Sequence, residues 1–269
     1  MNLILAFATG YTKAEYEPFL KSARLANLSN TVRIVLFTDL DKTTFQEYPF
    51  VEIVNVNDDG HKPQNQNFIA PVLRYGYYLK YLKMLCGSDD VGGIMLADVR
   101  DVLFQHFNIF SDLDSSKIYV FKENSRYTFG DDACHKNWFN SIGRGDFSTT
   151  FAEKTFYCSG IHLFGSVKAA VYYLDLFTNV CEIYRNYKWA VNDQPIHNIL
   201  IYENYLSEDR LVKHESELNE RVFNMGLCRE EDYTIVGNRL CFVDTAIYPS
   251  VIHQYDRRLN RTKTLLQHP

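Results

Sequence analysis

One short stretch decides the predicted fold, Gly92-Gly93-Ile94-Met95-Leu96-Ala97-Asp98-Val99-Arg100-Asp101. Its four consecutive apolar residues follow a glycine pair, a pattern typical of a strand buried on both faces of a sheet. Aspartates directly after such a strand offer the oxygen ligands that Mg²⁺ and Mn²⁺ prefer. The stretch therefore predicts a buried strand with a candidate metal site, Asp98 and Asp101, at its carboxyl end. The structural alternative is that Asp98 caps a turn and that Asp101 pairs with Arg100 or another basic side chain.

Similar apolar runs lie on either side of this stretch, at residues 3–9, 32–37, 51–56 and 117–121. Amphipathic segments separate several of them, and the alternation of strands and helices predicts a parallel, doubly wound sheet. In such sheets the ligand binds at the carboxyl ends of the strands. Three polar segments occupy predicted strand ends: Thr9-Gly10-Tyr11, Thr38-Asp39 and Asp98.

The second half of the sequence has less regular patterning. Residues 124–155 are polar and glycine-spotted, and we predict an irregular loop region that faces the substrate. A strand over residues 156–164, a long helix, a helix that begins near Asp193 and short strands at 233–236 and 240–243 are predicted to follow. Because no linker of Pro, Gly or Ser divides the chain, we expect a single domain over residues 1–269.

Composition excludes several classes of protein. The formal net charge is −5, whereas a protein that holds nucleic acid usually has an excess of basic residues, so we expect no nucleic-acid partner. No apolar stretch approaches 18 residues, the N-terminus lacks a signal-peptide pattern, and the six cysteines are scattered without a C-x-x-C motif. We therefore expect a cytoplasmic chain without a transmembrane segment.

Aromatic residues are abundant, with 19 Phe and 19 Tyr but only 2 Trp. Most of them are expected to pack in the core. A flat apolar ring with a polar tip also suits bases and sugars. Four aromatic residues fall in predicted loops where a sugar can stack: Tyr127, Phe129, Trp138 and Trp189.

Further short motifs follow the aspartates in order: Ser159-Gly160 at a predicted strand, Asp193-Gln194 at a predicted helix start, and a late histidine, His253. A Ser-Gly pair lets a substrate approach the backbone closely. Together with the Asp-x-Asp-like segment Asp98 to Asp101, this order resembles the GT-A class of nucleotide-sugar-dependent glycosyltransferases over residues 1–255. The helix around Arg74 is similar to one that such enzymes place beside the nucleotide.

The resemblance implies a fold and an activity. The fold would be a single α/β domain of the GT-A type, with a Rossmann-like, mostly parallel central sheet flanked by helices and a smaller sheet on the acceptor side. Residues 1–123 would form the nucleotide-binding half and residues 124–269 the acceptor and catalytic half. The activity would be transfer of a sugar from a nucleotide-sugar donor, UDP-linked by resemblance, to a hydroxyl group of a glycan, lipid-linked or protein acceptor.

The resemblance also implies roles for individual residues. Thr9, Tyr11 and Asp39 would hold the base and ribose, with Arg74, Arg100, Ser159 and Gly160 among the donor-binding groups. Asp98 would contact the ribose or the metal, and Asp101 and His253 would complete the shell of Mn²⁺ or Mg²⁺ on the diphosphate. Asp193 would face the donor sugar or the acceptor with Gln194 beside it, and this pair is the predicted catalytic site.

One position departs from the family pattern, because Arg100 stands where the second aspartate is expected. Either Asp101 takes that place through a local turn, or Arg100 supplies the positive charge and the metal is dispensable. Stereochemistry also stays open: Asp193 would serve as the base of an inverting enzyme, whereas the Asp-Gln pair is more similar to several retaining ones.

Two alternatives compete with glycosyl transfer. The segment Thr38-Asp39-Leu40-Asp41-Lys42-Thr43 resembles the nucleophile motif of haloacid-dehalogenase-type phosphatases, with Asp39 as nucleophile and Asp41 as acid/base. Asp131 and Asp132 would then supply the later carboxylate pair. The second alternative is a nucleotide- or glycan-binding module that has lost its chemistry.

Overall fold

A computed structural model describes residues 1–26, 32–58, 60, 69–87, 90–106, 108–123, 125–187, 190–216, 218–262 and 265, without the side chains of residues 259 and 261. The strands are β1 (Asn2–Ala8), β2 (Val32–Thr38), β3 (Val51–Asn55), β4 (Ile94–Ala97), β5 (Val102–Phe104), β6 (Ile118–Phe121), β7 (Ile161–Phe164), β8 (Leu211–His214), β9 (Val222–Asn224), β10 (Tyr233–Val236), β11 (Arg239–Phe242) and β12 (Val251–His253).

The α-helices are α1 (Lys13–Leu25), α2 (Ala70–Met84), α3 (Ala133–Ser141), α4 (Gly145–Thr150), α5 (Val167–Ile183), α6 (Asp193–Tyr202) and α7 (Leu259–Thr262). Short 3₁₀ helices cover Lys42–Phe45, Asn108–Phe110, Arg185–Tyr187, Glu208–Arg210 and Tyr255–Arg258. Among the described helices, none is both long and apolar enough to cross a lipid bilayer.

Seven strands form the central sheet in the order β3-β2-β1-β4-β7-β6-β8. Strands β1 to β4 pair in parallel, β7 is antiparallel to both neighbours, and β6 and β8 pair in parallel. The predicted α/β class with a mostly parallel sheet flanked by helices is therefore confirmed. The strand that precedes Asp98, β4, lies in the middle of the sheet.

Strand β1 shows how the sheet becomes buried on both faces. Leu3, Leu5 and Phe7 pack into one core with α2 and α5, whereas Ile4 and Ala6 pack into a second core with α1. Alternate residues of a strand point to opposite faces, so a run of apolar residues supplies both cores at once.

Two smaller sheets complete the fold. β5, β12 and β9 form a three-stranded sheet, in which β12 is antiparallel to β5 and parallel to β9. β10 and β11 form a hairpin beside it. Because β5 begins one residue after Asp101, the three-stranded sheet brings the end of the chain back to the carboxyl end of β4.

The prediction of an irregular region over residues 124–155 is wrong, since α3 and α4 lie within it. The side chain of Asp132 caps α3 by accepting a hydrogen bond from the His135 N–H. Phe139 and Phe147 then stack on each other at 4.3 Å in the core. These helices have only nine and six residues, fewer than the roughly 11 to 18 over which a helical period can be recognised in a sequence.

The predicted strand over residues 156–164 is shorter in the structure and covers only Ile161–Phe164. Before it, side-chain amides take the place of a neighbouring strand. Asn198 accepts from the Tyr157 N–H at 2.9 Å and donates to the Tyr157 carbonyl at 3.0 Å. Gln194 accepts from the Ser159 N–H at 2.8 Å. This segment is therefore held by helix α6 and positioned against it.

Candidate active site

A cavity of about 370 Å³ lies at the carboxyl ends of β1 and β4. Its lining combines polar and aromatic side chains from both halves of the chain. Among the residues predicted for the site, those that line it are Thr9, Tyr11, Arg74, Asp98, Arg100, Asp101, Ser159, Gly160, Asp193, Gln194 and His253. Asp39 lies beside them, where its carboxylate accepts the Gly10 N–H at 3.1 Å and orders the turn after β1.

The turn after β4 explains how this chain departs from the Asp-x-Asp pattern. Val99 is buried in the core beside the sheet and anchors the turn. Arg100 then points outward, with 59% of its side chain exposed and its Nε 3.6 Å from Asp256. Asp101 returns to the interior with 12% of its side chain exposed. The turn therefore brings Asp101, rather than the residue at position 100, beside Asp98.

His253 reaches the same point from the other end of the chain. It is the last residue of β12, where it pairs with Val102 of β5 and Asn224 of β9. Its Nδ1 lies 2.8 Å from Asn224 Oδ1, so the ring donates there and, in its neutral form, carries its lone pair on Nε2. That Nε2 is buried without a hydrogen-bond partner, 3.7 Å from Asp98 Oδ2 and 3.6 Å from Asp101 Oδ2.

Ligand atoms of Asp98, Asp101 and His253 lie within 4.8 Å of one another. A buried imidazole lone pair aimed at two carboxylates, with its other nitrogen fixed by an amide, is the donor arrangement of a metal site. The three residues therefore fit a divalent cation such as Mn²⁺ or Mg²⁺.

Gly160 lies directly against this centre, where there is no room for a side chain. A Cβ atom at this position would lie 2.4 Å from His253 Nε2 and 2.8 Å from Asp98 Oδ2. Its carbonyl also accepts the Asp98 N–H at 2.8 Å, which ties β7 to the turn after β4. Glycine is required here because the backbone itself forms one wall of the centre.

Burial and neighbouring charges shift the pKa values of the three candidate ligands. Burial by itself would raise the pKa of Asp98, but attraction to Arg74 and His253 lowers it to about 2. Burial raises the pKa of Asp101. Burial would lower the pKa of His253, yet Cys158, Asp101 and Asp98 raise it well above its ordinary value. The centre attracts a cation, whether a proton or a metal ion.

Arg74 of α2 connects the two halves of the cavity. Its guanidinium pairs with Asp98 through Nη1 and lies 2.6 Å from Asp193 Oδ2 through Nη2. Asp193 is also held through Oδ1, which accepts the Gln194 N–H at 2.8 Å. Burial raises the pKa of Asp193, and Arg74 opposes that shift. The Asp193 carboxylate is thus fixed in one orientation at the start of α6.

The Gln194 side chain is fully engaged. Its Oε1 accepts from the Ser159 N–H at 2.8 Å and from the Ser159 hydroxyl at 2.7 Å. Its Nε2 donates to Glu123 Oε2 at 2.7 Å. The amide therefore links the ends of β6 and β7, and its geometry is that of a positioning residue.

The aromatic residues predicted to stack on a sugar lie in different environments in the structure. Phe129 is fully buried in the core, so stacking of a sugar on it is excluded. Tyr127 is 42% exposed, whereas Trp138 lines the cavity. Trp189 lies outside the described residues. Burial raises the pKa of the Tyr11 phenol, which keeps this cavity residue neutral.

Sequence reasoning missed several lining residues, above all Glu123, Gln254 and Arg257. Glu123 follows the predicted strand at residues 117–121, so the strand-end rule that found Asp98 would also have found it. Gln254 has a left-handed backbone with φ 62°, and its N–H donates to the Asp101 carbonyl at 2.7 Å. No sequence pattern indicates this contact, because it joins residues far apart in the chain.

No family model matches the sequence, and no curated protein matches it. Solved structures do resemble the fold. The galactosyltransferase LgtC, in complex with donor and acceptor sugar analogues, matches over 94% of this chain and 86% of its own, with a TM-score of 0.51 and 15% identity. An active-site mutant of LgtC matches with the same coverage and TM-score at 14% identity.

The glycosyltransferase GlyE of Streptococcus pneumoniae TIGR4 matches over 94% of this chain and 54% of its own length, with a TM-score of 0.50 and 14% identity. At these identities the likeness concerns the fold. Together with the sheet order, it shows that this chain has the GT-A fold found in these glycosyltransferases.

Proposed function

We propose that this chain is a glycosyltransferase that moves a sugar from a nucleotide-sugar donor to a hydroxyl acceptor. The observation that carries the proposal is the convergence of Asp98, Asp101 and the unpartnered Nε2 of His253 beside Gly160. This centre lies at the strand ends where doubly wound sheets bind nucleotides. The GT-A fold supports the same function.

In the reaction, the bond between the anomeric carbon and a diphosphate oxygen breaks and its electron pair stays on the diphosphate. A bond forms from the acceptor oxygen, whose proton passes to the departing diphosphate or to the Asp193 carboxylate. A divalent cation at Asp98, Asp101 and His253 would neutralise the departing diphosphate. Arg100, exposed at the cavity wall, adds positive charge on the same side. Thr9 and Tyr11 at the end of β1 flank the base and ribose, and UDP is the proposed nucleotide.

Arg74 and Asp193 orient the donor sugar. Their ion pair fixes the guanidinium between the metal-ligating Asp98 and the start of α6. A sugar that lies against this ion pair contacts both groups, since both line the cavity. Preorganised charges of this kind stabilise a transition state without reorganisation during the reaction.

The phosphatase alternative has weaker support. Asp41 caps the 3₁₀ helix Lys42–Phe45 by accepting from the Thr43 N–H at 2.8 Å. Asp132 caps α3. Within the part of the chain that the structure describes, neither Asp39 nor Asp41 belongs to a potential metal-binding group.

Thermal melting with UDP, GDP and their sugar conjugates, with and without Mn²⁺, tests the proposal. We expect a Mn²⁺-dependent rise in melting temperature with a nucleoside diphosphate, together with slow hydrolysis of one nucleotide sugar. Binding without hydrolysis or transfer would identify a binding module. Turnover of an aryl phosphate that Asp39→Asn abolishes would identify a phosphatase.

A further inference from the structure

The residues that line the cavity follow one another in the same order as the strands of the central sheet. β1, β4, β7 and β6 are consecutive neighbours. Each contributes a residue to the cavity at the same edge: Thr9 after β1, Asp98 after β4, Gly160 before β7 and Glu123 after β6. Since neighbouring strands are about 4.8 Å apart, Glu123 lies roughly 14 Å from Thr9 along this edge. The metal-ligating group therefore separates the proposed nucleotide side from the Glu123 side.

Glu123 is a carboxylate that is 6% exposed and lines the cavity. Its two oxygens accept from Gln194 Nε2 and Gln254 Nε2, each at 2.7 Å, and Arg257 Nη1 lies 3.8 Å away. An ionised carboxylate accepts about four hydrogen bonds. Glu123 therefore retains acceptor capacity for a donor in the cavity, and hydroxyl groups are such donors.

Trp138 of α3 provides an aromatic surface in the same cavity. His135 braces it, with the two rings edge to face at 5.0 Å. His135 is fixed in turn by stacking on Phe156 at 3.7 Å and by Asp132 at 3.0 Å. The indole is thus held in place before any ligand arrives, and its apolar face suits the flat side of a sugar ring.

Asn192 adds a polar group between these residues and α6. It occupies the N-cap position of α6, yet its side chain makes no capping hydrogen bond. The amide lines the cavity and offers both a donor and an acceptor.

We propose that Trp138, Glu123 and Asn192 form the acceptor subsite, and that the acceptor is itself a sugar, with one ring face on Trp138 and a hydroxyl donated to Glu123. This inference rests on the proposed function and narrows its acceptor to a glycan. A lipid alcohol or a serine side chain has no ring face for the indole and presents a single hydroxyl.

Fluorescence tests the subsite without any turnover. The variant Trp189→Phe leaves Trp138 as the only tryptophan of the two. With UDP and Mn²⁺ present, it is titrated with lactose, maltose, cellobiose and diacetylchitobiose. We expect a saturable change in emission with at least one of these sugars. An emission that none of them changes overturns the proposal.

Kinetics with the responding sugar test the role of the ring. Trp138→Ala is expected to lower the ratio of sugar transfer to donor hydrolysis about tenfold, and Trp138→Phe to restore most of it. Tyr205→Ala is the matched control, since it removes an aromatic side chain that is exposed and lies outside the cavity lining. A ratio in Trp138→Ala equal to that of the control overturns the proposal.

If Trp138→Ala does not fold, Trp138→Leu is used in its place, because it keeps an apolar side chain of substantial volume and loses only the ring.

The proposed function and the proposed acceptor subsite can fail independently of each other. A wild-type chain that turns over no nucleotide sugar overturns the proposed function, whereas the fluorescence titration still decides whether this subsite binds a sugar.

Discussion

Two buried histidine environments near the cavity, that of His253 and that of the pair His162 and His197, shift histidine pKa values in opposite directions. At the metal-ligating centre, Cys158, Asp101 and Asp98 raise the pKa of His253 against the effect of burial. Beneath it, burial lowers the pKa of His197 to about 3, and burial, His197 and Arg74 lower that of His162. All three side chains are at most 2% exposed, so exposure does not separate them.

The difference lies in the partners. His253 faces carboxylates, which favour a positive charge. His162 and His197 contact each other at 3.3 Å and share the Tyr173 hydroxyl, at 2.9 and 2.8 Å. The imidazole rings and the Tyr173 hydroxyl hydrogen-bond to one another as neutral groups and add no negative charge. The surroundings of His253 therefore suit a cation. The pair His162 and His197 instead joins β7, α5 and α6, and β7 and α6 position Gly160 and Asp193 at the cavity.

Among the proposed variants, we expect the largest effect on activity from removal of one carboxylate beside His253. Asp101→Ala leaves His253 and Asp98 with one oxygen ligand group fewer, and we expect donor turnover to fall about 10²-fold or more because charge on the leaving group is no longer balanced. The Mn²⁺-dependent rise in melting temperature with UDP is expected to disappear with it.

Asp41→Ala is the matched control, because it removes an exposed aspartate that caps a short helix away from the cavity. It is expected to lower stability slightly, because a helix cap is lost, and to retain the response to Mn²⁺. Full turnover in Asp101→Ala would show that the metal-ligating centre is assigned wrongly.

A methyl group at position 160 is expected to have an intermediate effect. In Gly160→Ala the new Cβ meets His253 Nε2 and Asp98 Oδ2 at distances below 3.0 Å, so one of these side chains must move. We expect a loss of about 1–3 kcal/mol in the free energy of unfolding, as in other overpacked sites. The melting response to Mn²⁺ and UDP should shrink at the same time, because the moved side chain is a ligand.

Gly130→Ala separates these two effects. Its Cβ would meet Ala152 at 3.0–3.1 Å, in a part of the fold without metal-ligating groups among the described residues. It is expected to lower stability while the folded protein keeps its response to Mn²⁺. Equal metal responses in the two glycine variants would refute the role of Gly160.

The contrast also explains how much the sequence could predict. Asp98 and Thr9 were predicted to lie together because each follows a buried strand, and parallel strands end at one edge of the sheet. His253 could be placed there only by resemblance, because its position depends on the pairing of β12 with β5 and β9. Periodicity within the chain carries no information about such a long-range register.

The lower histidine group, His162 and His197, could not be predicted from the sequence for the same reason. His162, Tyr173 and His197 come from a strand and two helices, and no short spacing connects them. The helices α3 and α4 were missed because each is too short, at nine and six residues, to show a helical period in a polar segment. Trp138, in contrast, was predicted as an aromatic that can meet a sugar, and it lines the cavity.

At neutral pH the smallest expected effect comes from His162 and His197, and below neutral pH it becomes a dependence of stability on pH. The unfolded chain protonates these histidines near pH 6.5, whereas the folded chain resists protonation until the pH falls to about 3 for His197. The unfolded state therefore binds more protons between these values. The free energy of unfolding is expected to fall by about 1.4 kcal/mol for each pH unit below 6.5 for this residue alone.

Urea unfolding at pH 4, 5, 6 and 7 measures this slope in His197→Asn and Tyr173→Phe. The asparagine amide replaces the bonded Nδ1 and omits Nε2, which is buried without a partner, so this variant should lose about 1.4 kcal/mol per pH unit of slope. Tyr173→Phe keeps both histidines and removes their shared hydroxyl, so it should be less stable at every pH with the slope retained. If His197→Asn kept the wild-type slope, the neutral state of this histidine could not be the source of the acid sensitivity, and the contrast with His253 would rest on the carboxylates alone.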